Sequence, residues 1–309
     1  MTSLALPSLL HPAWAWALLL GIGLNVVCGE PGRWHPLVLF DRAARGAARR
    51  RAAGDSSHGA GLVAGMLLLL APPAAVLVLR HWWPAGWRWL FEGFVLYLAV
   101  GPRGLHEQVA QVGAALVRDD LPAARQAIQH LLGHEALAPD AMPVADAAVA
   151  GTLAQGHERI LAPLFWFALA GGAGALTYRL VRRLHGAWQA GGAGADPVGR
   201  MAARLAYALD WVPARLSAAS YAVLGDIRAA RWCWQHQAGP RGGPGPIVAA
   251  GAGALGLRLG VSGGAAPRSI AGVGRPPQPR DVARALALVA SAMLLWLVVL
   301  GLLHLVATR

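Results

Sequence analysis

The chain has 309 residues, of which 56% are hydrophobic and 14% charged, and its formal net charge is +12. This composition excludes an ordinary soluble domain with a large polar surface and favours an integral membrane protein. All 27 basic residues are arginines and lie beside apolar runs, so the charge predicts positive-inside topology and attraction to anionic lipid, with no nucleic-acid partner.

Six apolar stretches follow one another along the chain, and a helix that spans a bilayer needs ~20 residues. Four of them are long enough to span or nearly span it, while the third and the glycine-rich fifth are short. We predict membrane helices over residues 13–28, 61–79, 87–100, 160–178, 247–259 and 285–307. The first is expected to be retained, because no basic region precedes it. The predicted fold is an all-α, multi-pass integral membrane protein that forms one membrane domain over residues 1–309.

Two regions between these stretches are predicted to lie outside the bilayer core, over residues 102–158 and 186–245. In the first, apolar residues recur at helical spacing, and the acidic pair Asp119 and Asp120 before Pro122 marks the start of a second helix. We therefore expect amphipathic helical hairpins at one membrane face.

The arginine distribution predicts a cytoplasmic loop at residues 33–51 and a location in the cytoplasmic (inner) membrane. With that orientation, a complete fourth span would export Arg179, Arg182 and Arg183, against the positive-inside rule. One short segment, with 247–259 as a candidate, is therefore predicted to be re-entrant or interfacial.

The fourth stretch, "ILAPLFWFALAGGAGALTY", contains Pro163 near its start and a run of small residues at 171–174. This pattern predicts a broken helix beneath a surface pocket. His157 and Glu158 precede it, and Glu158 suits a general base or a metal ligand. A polar helix start at the bilayer surface is the structural alternative.

Two other motifs are ambiguous. "GAGALG", residues 251–256, matches a dinucleotide fingerprint, but no strand pattern precedes it, so close helix packing is the preferred interpretation. Glu92 lies in an apolar segment, which makes it a functional candidate. Because Arg88 is one turn away, an interfacial ion pair between the two residues is an equally good interpretation.

Several segments together resemble one family. "APLFWFALAGGAGALTYRLV", residues 162–181, is similar to the APLFW segment of the CobD/CbiB family of membrane-bound cobalamin biosynthesis proteins. "GEPGRWHPLVLFDRA" resembles its early His-Pro segment, with His35 and Pro36 in place, and "LDWVPARL" resembles its PAR motif, with Asp210 and Arg215. The helical hairpin, the late glycine-rich segment and the final helix are also similar, so the resemblance covers nearly the whole chain.

This resemblance implies an adenosylcobinamide-phosphate synthase, which joins adenosylcobyric acid to aminopropanol or its phosphate in an ATP-dependent amide ligation. The implied partners are the lipid bilayer, the corrinoid adenosylcobyric acid and aminopropanol phosphate, and the cofactors of a catalytic chain would be ATP and Mg²⁺. Glu158 is the expected catalytic acid, and no metal ligand is assigned. The expected substrate-binding residues are His35, Arg103, Asp210, Arg215 and His185. As a structural alternative, Arg215 pairs with Asp210 or lies along the membrane surface.

The sequence departs from the family pattern at acidic positions. Where the family reads like V-E-S-x-A-E-N-x-x-D-G, this chain has Ala150 and Ala154 at the glutamates and keeps an acid, Glu158, at the aspartate. Arg182 and His185 replace an asparagine and an aspartate further on. Because alanine offers no ligand atom, these changes argue against full synthase activity, and whether the chain is an enzyme stays open.

The alternative is not an enzyme. "DWVPARLSAASYAVLGD" also fits the AmpE-like membrane proteins linked to beta-lactamase regulation, which suggests a regulatory or scaffold protein. A small-molecule transporter is a weaker third class, because few polar residues lie inside the spans. The amine substrate and the oligomeric state stay open, and a homo-oligomer is compatible with the sequence.

Overall fold

The computed structural model describes residues 13–29, 36–54, 58–132, 144–239, 245–261 and 269–308. Within these ranges the first six helices are α1 (Trp14–Cys28), α2 (Pro36–Ala52), α3 (His58–Trp82), α4 (Arg88–Ala99), α5 (Pro102–Val117) and α6 (Leu121–Leu132). After them come α7 (Val144–Gly156), a π-helical segment (His157–Leu161), α8 (Ala162–Ala190), α9 (Pro197–Leu224), α10 (Ile227–Gln237), α11 (Gly245–Leu255), strands β1 (Leu259–Val261) and β2 (Ser269–Ala271), and α12 (Pro279–Ala307).

Three helical stretches are long and apolar enough to cross a membrane: Val63–Trp82, Val144–Ala190 and Pro279–Val306. Helices α1 and α11 are shorter but also apolar. Large apolar side chains of α3 and α12 are exposed, such as Leu67 at 61% and Leu302 at 57%. Hydrocarbon solvates such faces better than water does, and helices satisfy their backbone groups internally. The molecule is a multi-pass helical membrane protein, which confirms the predicted fold class.

The chain divides into two compact units. The first comprises residues 1–103, 162–210 and 298–309, and the second comprises residues 104–161 and 211–297. In the first unit, α2, α3 and α4 pack against α8, and α1 packs against α4. In the second unit, α6 and α11 pack against α7, and α10 packs against α11.

Small residues let α1 and α4 approach closely in the first unit. A methyl group on Gly21 would lie 2.8 Å from the carbonyl oxygen of Gly93, and one on Gly93 would lie 2.9 Å from that of Ala17. Any larger side chain would therefore separate the two helices. A buried polar group fixes the end of the same pair, because the Asn25 amide donates to the Val100 carbonyl at 2.8 Å.

Helix α8 is broken at Ala170 and Gly171, as the run of small residues predicted. Gly171 has φ 65° and ψ −159°, a conformation that is essentially restricted to glycine. Pro163 lies elsewhere, just after the π-helical segment His157–Leu161. The wider π turn suits a proline, which has no N–H to donate and clashes with the preceding turn of an α-helix.

Glu92 caps the second half of the broken helix. The N–H of Gly172 donates to Oε2 of Glu92 at 2.5 Å. The predicted ion pair between Glu92 and Arg88 is wrong: Glu92 pairs with Nε of Arg80 at 2.8 Å, while Nε of Arg88 donates to the Trp83 carbonyl. The packing of the elements, rather than helical spacing, selects the partner of this carboxylate.

The predicted helical hairpin is present in the second unit as α5 and α6. Its apolar positions Leu105, Val109 and Val112 are buried. The start of the second helix is also confirmed, because Oδ1 of Asp120 accepts the N–H of Ala123 at 3.0 Å.

The "GAGALG" motif lies on α11 and the residue that follows it. A methyl group on Gly251 would lie 2.7 Å from Cδ1 of Leu153, and one on Gly253 would lie 2.8 Å from the Ala229 carbonyl oxygen. The glycines therefore serve close helix packing, as predicted, and a helix rather than a strand contains them.

Two short strands follow α11, although the sequence pattern did not predict them. Within the stretch 247–259, the helix ends at Leu255, and Gly256 has the positive φ typical of a helix end. Leu259 then pairs with Ala271 across an antiparallel β1–β2 sheet.

Candidate functional site

Side chains of α8 and α9 form a polar group in the first unit. It consists of a tyrosine and an arginine of α8 and an aspartate of α9. The Tyr178 hydroxyl donates to Oδ1 of Asp210 at 2.7 Å, and a terminal nitrogen of Arg182 lies 3.3 Å from Oδ2. Tyr178 is fully buried, while the side chains of Arg182 and Asp210 are 16% and 21% exposed. We call these three residues the Asp210 cluster. The buried tyrosine fixes the carboxylate, which holds the guanidinium close to the surface.

Further cationic groups lie on the same turns of α8. Arg179, Arg182 and Arg183 are spaced i, i+3 and i+4, which places them on one side of the helix. Arg183 pairs with Asp41 of α2, and Arg179 is buried. His185, one turn beyond Arg182, is half-buried. An arginine-rich, partly desolvated surface of this kind suits a phosphate or carboxylate group.

The π-helical segment places a second polar group in the other unit. Nδ1 of the buried His157 lies 2.9 Å from the Ser217 hydroxyl. The Tyr221 hydroxyl donates to the Leu153 carbonyl at 3.1 Å, and burial raises the pKa of Tyr221, so it stays a donor. Glu158 is half-buried on the same segment. Because π turns frequently occur at functional sites, Glu158 has a suitable setting for its predicted role.

Arg159, the next residue, joins three helices of the second unit. Its Nε donates to Gln155 at 2.7 Å, and its terminal nitrogens donate to Gln108 at 2.9 Å and to the Leu131 carbonyl at 3.0 Å. Each nitrogen of this guanidinium therefore has a neutral acceptor, which indicates a structural clamp.

The other predicted site residues have different surroundings. The exposed Arg103 donates to the carbonyls of Val26 and Val27, so it caps the end of α1. Arg215 donates to the Trp211 carbonyl at 2.7 Å and stacks on the Trp211 ring at 3.9 Å. These contacts of Arg215 are with Trp211, while Asp210 contacts the arginine and the tyrosine of α8.

The predicted site residues are thus divided between the two units. Arg103, His185 and Asp210 belong to the first, and Glu158 and Arg215 belong to the second. His35 lies outside the described residues.

The implied cofactors find little support in the side chains. Among the described residues, no group of three His, Cys, Asp or Glu side chains lies close enough to hold a metal ion. The glycines of "GAGALG" contact other helices and form no phosphate-binding loop after a strand. The described residues therefore show neither a group of three metal-ligating side chains nor a nucleotide fingerprint.

Two residues of this arginine-rich surface are not predicted from the sequence. Tyr178 marks only the end of an apolar stretch, and Asp41 is a single carboxylate among the arginines of residues 33–51. The available signal was charge: an isolated carboxylate on an arginine-rich helix is rarely left without a cation.

These features define a helical membrane protein with a broken helix and an arginine-rich polar cluster in its second half. A family model described as "CobD/Cbib protein" matches residues 18–289. The chain therefore belongs to the CobD/CbiB family of cobalamin biosynthesis proteins.

The similarity to curated proteins named "Cobalamin biosynthesis protein CobD" runs almost end to end. That of Stutzerimonas stutzeri is 40% identical over 289 residues, covering 90% of this chain and 93% of the relative. That of Chromobacterium violaceum is 37% identical, covering 88% and 91%, and that of Mycobacterium tuberculosis H37Rv is 30% identical, covering 89% and 90%. No solved structure matches the chain significantly.

Proposed function

We propose that the chain serves the attachment of aminopropanol, or its phosphate, to adenosylcobyric acid, as an adenosylcobinamide-phosphate synthase would. In that reaction the amine nitrogen would form an amide bond with the carboxylate carbon, while one carboxylate oxygen would leave with a phosphate derived from the co-substrate ATP. Both reactants carry anionic groups when the amine is phosphorylated. The observation that carries the proposal is the arginine-rich Asp210 cluster, found in a chain that resembles CobD proteins over nearly its full length.

The Asp210 cluster and Arg183 are assigned the binding of the anionic group. A guanidinium presents paired N–H donors that match two oxygens of a phosphate or a carboxylate. Tyr178 and Asp210 orient Arg182, so a ligand would meet a donor that is already positioned.

Glu158 is assigned the acceptance of a proton from the incoming ammonium group. An amine must lose a proton before its lone pair attacks, and a half-buried carboxylate is a suitable base. Arg159 and His157 are positioning residues of the same segment, because their side chains are held by neighbouring helices.

The non-enzymatic alternative rests on a separate observation on α7. Ala150 is buried and Ala154 is half-buried, at the positions where the resemblance expects two glutamates. Neither side chain can bind a metal or move a proton. If these positions are indispensable for the chemistry, the chain is a regulatory or scaffold protein that has kept the family's framework.

Genetic complementation separates the two proposals. A strain that lacks its own synthase is supplied with adenosylcobyric acid and this chain, and formation of the amide product is measured together with corrinoid-dependent growth. The synthase proposal expects rescue by the native chain. It expects a loss of about tenfold or more for Arg182→Gln and Glu158→Gln, because each removes a charge from the reacting or binding groups.

The matched control is Arg228→Gln, an exposed arginine of α10, which should rescue as well as the native chain. All variants are quantified in membranes by immunoblot, so that loss of protein is not taken for loss of activity. Absence of product with well-inserted native chain would reject the synthase proposal and favour the regulatory one.

A further inference from the structure

A small cavity lies in the first unit, beside the break in α8, and shares no residue with the Asp210 cluster. Its volume is about 60 Å³. One water needs roughly 10–15 Å³ on such a measure, so the space fits a group of a few heavy atoms and is far too small for a corrinoid. Its chemically distinctive lining residues are Trp14, Arg80, Arg88, Trp89, Glu92 and Phe167.

Trp14 supplies the first sign of a ligand. Its side chain is 5% exposed, and its Nε1–H has no hydrogen-bond partner among the described residues. A buried donor without an acceptor costs roughly 1–3 kcal/mol, so such groups are normally satisfied. The indole ring itself is fixed by stacking on Phe167, with ring centroids 5.8 Å apart. The Trp14 ring lines the cavity, and its N–H is a rigid donor that lacks an acceptor among the described residues.

The charges around the cavity specify the acceptor further. Glu92 is already occupied by Nε of Arg80 at 2.8 Å and by the N–H of Gly172 at 2.5 Å. This pair is neutral, and Arg88 adds one positive charge to the lining. A group with a single negative charge and several oxygen acceptors fits two arginines, one occupied glutamate and an indole N–H.

The location of the cavity points to the source of that group. Helix α3 ends at Trp82, two residues after Arg80, and Trp82, Trp83 and Trp87 are exposed at 81%, 41% and 61%. Exposed tryptophans and arginines at the end of an apolar helix are typical of headgroup depth. Most phospholipids carry there a phosphodiester, which is a monoanion with two terminal oxygens.

We propose that this cavity binds the phosphodiester headgroup of a membrane phospholipid, with Arg88 and the Trp14 indole N–H as donors. Arg80 is held by Glu92 and completes the positive rim. The bound lipid would steady the break in α8, because Glu92 contacts both the cavity and the capped N–H of Gly172. This site does not depend on the proposed function.

Native mass spectrometry of the detergent-purified full chain tests the proposal. Delipidated protein is titrated with phosphatidylglycerol, with diacylglycerol, which has the same tails without phosphate, and with inorganic phosphate. We expect saturable binding of phosphatidylglycerol that exceeds diacylglycerol binding by about tenfold, because a charge-assisted contact is lost without the phosphate. Arg88→Gln should weaken phosphatidylglycerol binding by a similar factor, while Arg228→Gln should leave it unchanged.

Trp14→Phe gives an independent readout, because it removes the N–H and keeps an aromatic ring. We expect weaker phosphatidylglycerol binding by about threefold, with a thermal midpoint in lipid-free detergent that is unchanged or raised, since the donor has no partner there. Equal binding of phosphatidylglycerol and diacylglycerol, or native affinity in Arg88→Gln, would overturn the proposal. Binding of inorganic phosphate that Arg88→Gln abolishes and phosphatidylglycerol cannot displace would also overturn it, because the cavity would then serve a soluble anion.

Discussion

Arg159 and Arg182 lie on one continuous apolar stretch of the chain, yet their surroundings differ. Arg159 donates to three neutral acceptors at 2.7–3.0 Å, each on a different residue. Arg182 contacts one carboxylate oxygen of Asp210 at the longer distance of 3.3 Å. Hydrogen bonds to neutral acceptors hold the Arg159 side chain in place, whereas the Asp210 carboxylate balances the positive charge of Arg182.

This difference separates structural from ligand-binding arginines better than burial does. If Arg159 turned to bind a ligand, its neutral acceptors would lose their donor together, and buried acceptors without a donor cost free energy. An ion pair at 3.3 Å loses little when a ligand oxygen joins it, because the guanidinium keeps an anionic partner. We therefore place the structural role at Arg159 and the binding role at Arg182, although both arginines lie on the same apolar stretch.

The largest expected effect comes from removing the clamp. Arg159→Met keeps the aliphatic stem but leaves the acceptors of Gln155, Gln108 and Leu131 without their donor. We expect the free energy of unfolding to fall by about 3 kcal/mol, because several buried polar groups lose their partner together. The measurement is unfolding of the purified chain in detergent, followed by circular dichroism.

The matched change is Arg182→Met, which removes the ion pair with Asp210 at 3.3 Å. Its expected cost is about 2 kcal/mol, below that of Arg159→Met, because the pair is mostly buried but long. Equal destabilisation by the two changes would show that the two arginines have the same role, contrary to the distinction drawn here.

The membrane helices and the hairpin could be predicted from the sequence, since apolar length and helical spacing are local properties. The break in α8 was also predictable, because the run of small residues at 171–174 marks it. Partners were not predictable in the same way. Glu92 is one turn from Arg88, yet the packing of the elements gives it Arg80 and the N–H of Gly172.

The candidate site was predicted only in part for the same reason. Asp210 was named, but its partners Tyr178 and Arg182 lie about 30 positions earlier, so no spacing rule connects them. Asn25 was missed altogether, since one amide hardly changes the hydropathy of α1. The short β1–β2 pair follows a helix end at Gly256, and two three-residue strands give no clear period.

The second-largest effect concerns the break, which lies between the two arginines in the sequence. Gly171→Ala places a side chain at φ 65° and ψ −159°, where its Cβ would also lie 3.0 Å from Oε2 of Glu92. We expect a loss of about 2 kcal/mol in the free energy of unfolding, because only glycine adopts this conformation without strain. Straightening the helix would also rotate Arg182 relative to Asp210, so rescue in the complementation assay should fall.

The control for this change is Gly46→Ala on α2, where a methyl group meets nothing within 4 Å. It should be neutral or stabilise the chain by up to about 1 kcal/mol, as expected for alanine in an open helix position. If Gly171→Ala were equally harmless, α8 would tolerate a straight path and the break would not position Arg182.

The smallest effect tests whether Asp210 orients Arg182. Tyr178→Phe removes one hydroxyl that donates to Asp210 at 2.7 Å and keeps the buried ring. We expect a stability loss of about 1.5 kcal/mol, the lower end of the range for one hydrogen bond to a charged group, because Asp210 is partly exposed. Rescue should fall with it, because the carboxylate that holds Arg182 then loses the donor that fixes its orientation.

Tyr207→Phe, a change at an exposed tyrosine of α9, is the control and should alter stability by less than about 0.5 kcal/mol. Normal rescue by Tyr178→Phe, with the expected loss of stability, would show that the tyrosine supports the fold while Arg182 needs no orientation through Asp210.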